Sequence, residues 1–264
     1  KRGRAHRQRI CYTRIDMRQL FESFKPSRGF GHIVYLALNV LLPVLVLLLV
    51  KAELTTVAFA VILLSKWRMF AVQPRFWLAN IRANAVDILV GLSILAFMIG
   101  TATDLTRIVY ALAWAVWLVG VKPKTSPLWV SMQAFIGQAL GLMAIFSVWS
   151  RASLVVLVLA VGITCFFAAH HFFYSFDEPY IRLLAYVYAY FAAGITWVLG
   201  HWLMYHSFMA QPTLLLLSIS FGLGTLYYLD HFDRLSSLIR KEVIFMMSTI
   251  VFILAGALLV IDLA

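Results

Sequence analysis

Nine apolar stretches divide the chain, over residues 33–50, 54–70, 85–103, 108–121, 128–148, 152–174, 183–205, 213–229 and 243–260. Their apolar residues run without a break instead of alternating, which predicts α-helices and excludes a β-barrel. About 20 apolar residues at a rise of 1.5 Å cross a 30 Å hydrocarbon core. The pattern therefore predicts an all-α polytopic transmembrane helix bundle with about nine spans and short loops. The second stretch is the weakest, because only 54–64 is largely apolar, and it reaches across only if Lys66 and Arg68 snorkel toward water. Lys51-Ala52-Glu53 makes a tight polar turn before it, so residues 33–70 read as a helical hairpin.

Composition removes the soluble alternatives. Of 264 residues 63% are hydrophobic and 12% are charged, about half the charged share of a soluble domain. Residues 29–264 read as a single transmembrane helical domain, preceded by an arm over 1–28. The chain opens Lys1-Arg2-Gly3-Arg4 without Met, so whatever precedes Lys1 is invisible. The first apolar stretch is long enough to be a permanent helix instead of a cleaved signal.

Charge gives the orientation. Loops rich in Lys and Arg stay in the cytoplasm, and alternate loops here are lopsided. Nine basic residues in 1–28, four in 66–82, Lys122, Lys124, Arg182 and three in 234–241 fall on one side, leaving only Lys51, Arg107 and Arg151 for the other. Nine spans of the cell (inner or plasma) membrane, amino terminus cytoplasmic and carboxyl terminus outside, account for that split. Trp67, Trp77 and Trp129 fall near inner boundaries and Trp149 and Trp202 near outer ones, where an indole touches both lipid and water. The net charge of +11 then follows from topology and calls for no nucleic-acid partner.

The arm carries Met17, Leu20, Phe21 and Phe24 at i, i+3, i+4 and i+7, an amphipathic helix ending before Pro26. Behind Arg2, Arg4, Arg7 and Arg9 it is suited to lie on anionic lipids of the inner leaflet; a retention signal is the plainer alternative. Cys11 within it and Cys165 within a span cannot pair with each other.

Residues 73–87 are the most polar segment between spans, with Asn80, Asn84 and Asp87 on one helical face. Such a face is fit for a headgroup or partner. The plainer account puts Asp87 in the first turn of the third span, facing the helix dipole. Lys25-Pro26-Ser27 before the first span and Lys122-Pro123-Lys124 before the fifth form a weak echo, compatible with a 4+4+1 organisation of the spans. Gly137 and Gly141, with Gln133 and Gln138, mark the fifth stretch as a buried helix of close approach.

Catalytic patterns are missing: paired aspartate-rich motifs for a diphosphate, a histidine-rich diiron set, a mid-span lysine, and a membrane-embedded serine with a histidine. The cofactor, if any, is unknown from these patterns. One constellation remains. His170 and His171 end the sixth stretch, Asp177 and Glu178 follow it, and Asp230, His231 and Asp233 end the eighth on the same side. Imidazoles and carboxylates there suit zinc, manganese or iron, or acid and base work on a headgroup. The simpler account makes them solvated loop residues, with Asp233 paired to Arg234 or Arg240. Three function classes follow: a permease-like or membrane-complex subunit with a membrane-protein partner, a membrane-embedded enzyme acting on a lipid or lipid-linked substrate at the cytoplasmic face, and a structural membrane protein.

Overall fold

The structure, a computed structural model, describes residues 29–67, 73–150, 152–176, 178–202, 205–206 and 209–262. The chain forms two units, Lys1–Leu38 and Asn39–Ala264; the first helix crosses that boundary, and the packing described below belongs to the second unit. The basic arm, with its amphipathic pattern and Cys11, lies outside the described residues, as do Arg68, Arg151 and Asp177.

Among the described residues there are nine helices: α1 Gly29–Lys51, α2 Thr55–Leu64, α3 Trp77–Gly100, α4 Asp104–Val116, α5 Pro127–Val148, α6 Leu154–Tyr174, α7 Ile181–Leu199, α8 Gln211–His231 and α9 Ser237–Asp262. Each grows from one of the nine apolar stretches. Helix is the form these sequences take because it satisfies every interior N–H and C=O within its own segment, as lipid requires. Six of them, α3 through α8, are long and apolar enough to cross a membrane, α4 counted with the turn that extends it to Val121. The expectation of about nine spans is thus met by length and composition for six. The ten residues of α2 reach about 15 Å, half of a hydrocarbon core.

Two boundaries differ from the sequence reading. α3 starts at Trp77, behind a short 3₁₀ turn Pro74–Phe76, eight residues before the apolar run begins, because Asn80 and Asn84 are accommodated on its partly exposed first turns. α7 stops at Leu199 instead of continuing to Tyr205; a 3₁₀ turn Gly200–Trp202 and a two-residue antiparallel hairpin, Tyr205 opposite Ala210 and His206 opposite Met209, replace its last turn.

The α1–α2 connection is the tight turn expected. Glu53 takes a left-handed φ of 60°, and the Leu54 N–H reaches back to the Leu49 carbonyl at 2.9 Å, closing the end of α1. One core gathers Val46 and Val50 of α1, Ile62 of α2, Val90 and Met98 of α3, and Trp114 of α4. A second joins Leu142 and Phe146 of α5 with Val161 of α6, Ala192 of α7 and Leu216 of α8. A smaller third sets Leu254 of α9 against Leu215 and Ile219 of α8.

α5 is the buried helix that its glycines announced. An added Cβ at Gly137 would stand 2.7 Å from Val86 of α3, and one at Gly141 would stand 2.8 Å from Thr164 of α6. Both are closer than carbon atoms tolerate, so glycine is what lets three backbones converge.

The outer surface is apolar in the manner of a lipid-facing bundle. Tyr190 of α7 is 83% exposed, Phe252 of α9 82% and Phe245 75%. Soluble monomers do not leave such continuous apolar surface bare. Together with the apolar helices, this makes the chain an integral membrane protein in contact with lipid.

Candidate functional site

Because α3 starts at Trp77, Asp87 is its eleventh residue and not part of its first turn. The helix dipole has faded there, and the carboxylate finds other partners. Its Oδ2 lies 3.3 Å from the Lys66 Nζ and 2.5 Å from the Lys122 Nζ, and its Oδ1 accepts a hydrogen bond from the Trp117 Nε1 at 3.3 Å. The side chains of Asp87 and Lys66 are only 11% and 13% exposed. Lys66, expected to snorkel outward, turns inward onto Asp87 from the bend after α2, since a buried carboxylate without a cation would cost several kcal/mol.

The end of α4 is shaped for this contact. Trp117–Val121 is a π-helical turn, closed by the Lys122 N–H on the Trp117 carbonyl at 2.9 Å. Residues five apart in an α-helix point about 140° from each other; the wider turn brings Trp117 and Lys122 onto one carboxylate. Insertions of this kind recur at functional sites.

α5 supplies the next layer. Gln133 donates both amide hydrogens, to the Val121 carbonyl at 2.7 Å and the Lys124 carbonyl at 3.0 Å. Its Oε1 therefore faces the His171 Nε2, 3.3 Å away. With the amide hydrogens spent, that oxygen can only accept, so the proton of neutral His171 sits on Nε2. Ala83, Asn84, Asp87, Lys122, Gln133 and His171 line a half-open recess of about 120 Å³. Asn84 is steadied by donation from its Nδ2 to the Asn80 carbonyl at 3.0 Å.

The ligand-type residues singled out in the sequence are distributed differently. His171 belongs to the recess. His170 packs against Phe166, ring centres 6.0 Å apart. The C-terminal ends of α6 and α8 do meet, but through rings: Phe172 and Phe173 lie 5.7 and 5.3 Å from Tyr227, and Phe176 lies 5.0 Å from His231. The Tyr227 hydroxyl donates to Glu178. Asp230 and Asp233 are exposed, with Asp233 at a left-handed φ of 53° in the turn that ends α8. Asp177 lies outside the described residues. Among those described, no three His, Cys, Asp or Glu side chains stand close enough to share a metal ion, and no ion pair joins Asp233 to Arg234 or Arg240.

A second polar cluster occupies the middle of α5, α7 and α8. The Gln138 Nε2 donates to the Tyr188 hydroxyl at 2.8 Å, and the Ser220 Oγ donates to the Gln138 Oε1 at 2.8 Å. The single Ser220 hydrogen is thereby used, so the contact between Tyr188 and Ser220 has Tyr188 as donor. The three groups form a closed ring in which each gives and takes one bond. Buried Cys165 of α6 stands within hydrogen-bonding reach of Tyr188.

Reading the residues one by one missed Lys66, Lys122 and Trp117 as partners of Asp87. The legible signal was Asp87 itself, an acid flanked by apolar residues, with Lys66 and Lys122 assigned to the same membrane face by alternation. No protein-family model, curated protein or solved structure matches the chain.

Proposed function

We propose that this chain is a permease-like or complex-forming subunit of the cell membrane, crossing it nine times with the amino terminus in the cytoplasm and the carboxyl terminus outside. The observation that carries this reading is the separation of charge into two clusters. Lys51 and Arg107 both pair with Asp104, at 3.0 and 3.3 Å, and Arg107 also donates to the Thr101 carbonyl at the end of α3 at 3.1 Å. Lys66 and Lys122 reach Asp87 from beyond the far ends of α2 and α4, against the middle of α3. Consecutive helices that reverse direction place these clusters on opposite faces. Each cluster sets two cations against one acid, and the remaining Lys and Arg crowd the Asp87 side, with four basic residues in 66–82 and Lys122 and Lys124 after α4, which supports a cytoplasmic assignment for that side. Ionisable groups held within spans mark the working part of membrane proteins, so the work of this subunit belongs at Asp87. The basic arm adds attachment to anionic lipids.

A second reading, a membrane-embedded enzyme acting on a lipid or lipid-linked substrate at the cytoplasmic face, draws on the same recess, where the His171 imidazole stands beside charged groups.

Single cysteines test the topology. In a variant lacking Cys11 and Cys165, cysteines at exposed Ser65, Thr103, Thr125 and Ser150 should react with a membrane-impermeant maleimide from the cytoplasm, the outside, the cytoplasm and the outside in turn. Two adjacent positions labelling from the same side would overturn the alternation.

A further inference from the structure

We propose that the recess between α3, the end of α4, α5 and α6 is a binding site for one phosphate-type oxyanion, presented by a lipid of the adjoining leaflet. The leaflet named here rests on the orientation proposed above; the anion chemistry does not.

Charge comes first. Lys66 and Lys122 share the single carboxylate of Asp87, so with neutral His171 the cluster carries one excess positive charge in a setting of low dielectric. A cation is repelled from it, and an anion completes it. The excess is presented to the recess by Lys122, whose side chain is 26% exposed and whose ammonium is a compact point charge with three donors, the form of lysine that binds phosphate. Lys66, more buried, holds Asp87 in place from behind.

Size comes next. About 120 Å³ is several times what a single water needs. That admits a tetrahedral phosphate group, with the rest of its molecule outside the mouth. Shape is fixed before binding, because Gln133 is locked by three hydrogen bonds to Val121, Lys124 and His171, and Lys122 leaves a helix end set by the π turn. A site arranged in advance avoids ordering costs on binding.

Location completes the case. The recess is half-open and sits beside the middle of α3, where α2 and α4 end in polar residues. Trp67, next to Lys66, is 63% exposed. Such rings stay at headgroup level, so a phosphate on a diacyl lipid arrives at the mouth with its chains still in the bilayer.

The test uses the full chain, purified and delipidated in a neutral detergent, with thermal melting as readout. Three probes separate the sources of the anion: dioleoyl phosphatidic acid, dioleoylglycerol as the same lipid without phosphate, and inorganic phosphate. Phosphatidic acid should raise the melting temperature saturably and dioleoylglycerol should not. A saturable shift with inorganic phosphate equal to that with phosphatidic acid would keep the oxyanion site but overturn its assignment to a lipid. Lys122→Gln should weaken phosphatidic acid binding at least tenfold. Ala83→Trp, at an exposed lining position, should do the same by closing the mouth while leaving all three charges in place, and it decides the matter if Lys122→Gln fails to fold. Equal shifts with phosphatidic acid and dioleoylglycerol, no shift with either phosphate probe, or an undiminished response in folded Ala83→Trp would overturn the site. Binding in detergent does not depend on orientation, so failure here and failure of the cysteine labelling are separate results.

Discussion

The polar cluster at Asp87 and the polar ring at Gln138 lie on the same helix bundle and are built on opposite principles. The ring is neutral and closed: Gln138, Tyr188 and Ser220 each donate once to the next and accept once from the last. With no net charge, it calls for no counter-ion. The Asp87 cluster is charged, open to a recess, and holds two ammonium groups against one carboxylate. Buried polarity in a membrane protein thus serves two ends, and donor and charge balance tells them apart. A balanced ring fastens helices together, and an unbalanced cluster beside a cavity has capacity left for a ligand.

Removal of the central group from each should break the symmetry most visibly. Asp87→Leu leaves Lys66 and Lys122 partly buried with no counter-charge, at a cost of about 3–5 kcal/mol. Gln138→Leu leaves Tyr188 and Ser220 bonded to each other, at a cost of about 0.6–1.7 kcal/mol. Unfolding in a mixed-detergent titration measures both. Equal losses would show that charge is not what distinguishes the two clusters. Replacing the whole triad, Asp87→Leu with Lys66→Met and Lys122→Met, should recover most of the first loss, since apolar groups of similar size need no partner.

α5 belongs to both regions, and its glycines give the next contrast. Gly137→Ala pushes a methyl group to 2.7 Å from Val86 on the recess side, a clash of about 1–3 kcal/mol. Gly194→Ala on α7, where an added Cβ meets nothing within 4 Å, should be neutral or stabilising by about 1 kcal/mol through helix propensity. A destabilised Gly194→Ala, read by the same titration, would mean that this face of α7 is covered by something other than lipid.

The smallest effect belongs to the other ion cluster. Asp104 is 61% exposed where it meets Lys51, so water screens the pair and Asp104→Asn should leave the unfolding midpoint unchanged. A clear loss there would erase the distinction drawn between the two ion clusters.

Much of the fold was legible in the residues. Among the described residues nine apolar stretches became nine helices because in lipid the backbone has almost no other way to satisfy its hydrogen bonds, so composition dictates local structure. The close approach at Gly137 and Gly141 was equally legible, since only glycine permits it. The turn at Lys51-Ala52-Glu53 was marked by two charged residues around an alanine between apolar runs.

The site was another matter. Asp87 pairs with Lys66 and Lys122, twenty-one residues before it and thirty-five after, and the sequence could assign those lysines to one face but not to one carboxylate. That pairing needed α3 to begin eight residues ahead of its apolar run, and it needed a π turn to rotate Lys122 and Trp117 together. His171 was legible as a polar residue at a helix end; whether it turned toward the other histidines or toward Gln133 depended on the rotation of α6 about its axis. An apolar sequence fixes that a helix forms and roughly where its ends lie. The facing of that helix is fixed by how side chains interlock with its neighbours, and only the packed bundle contains that information.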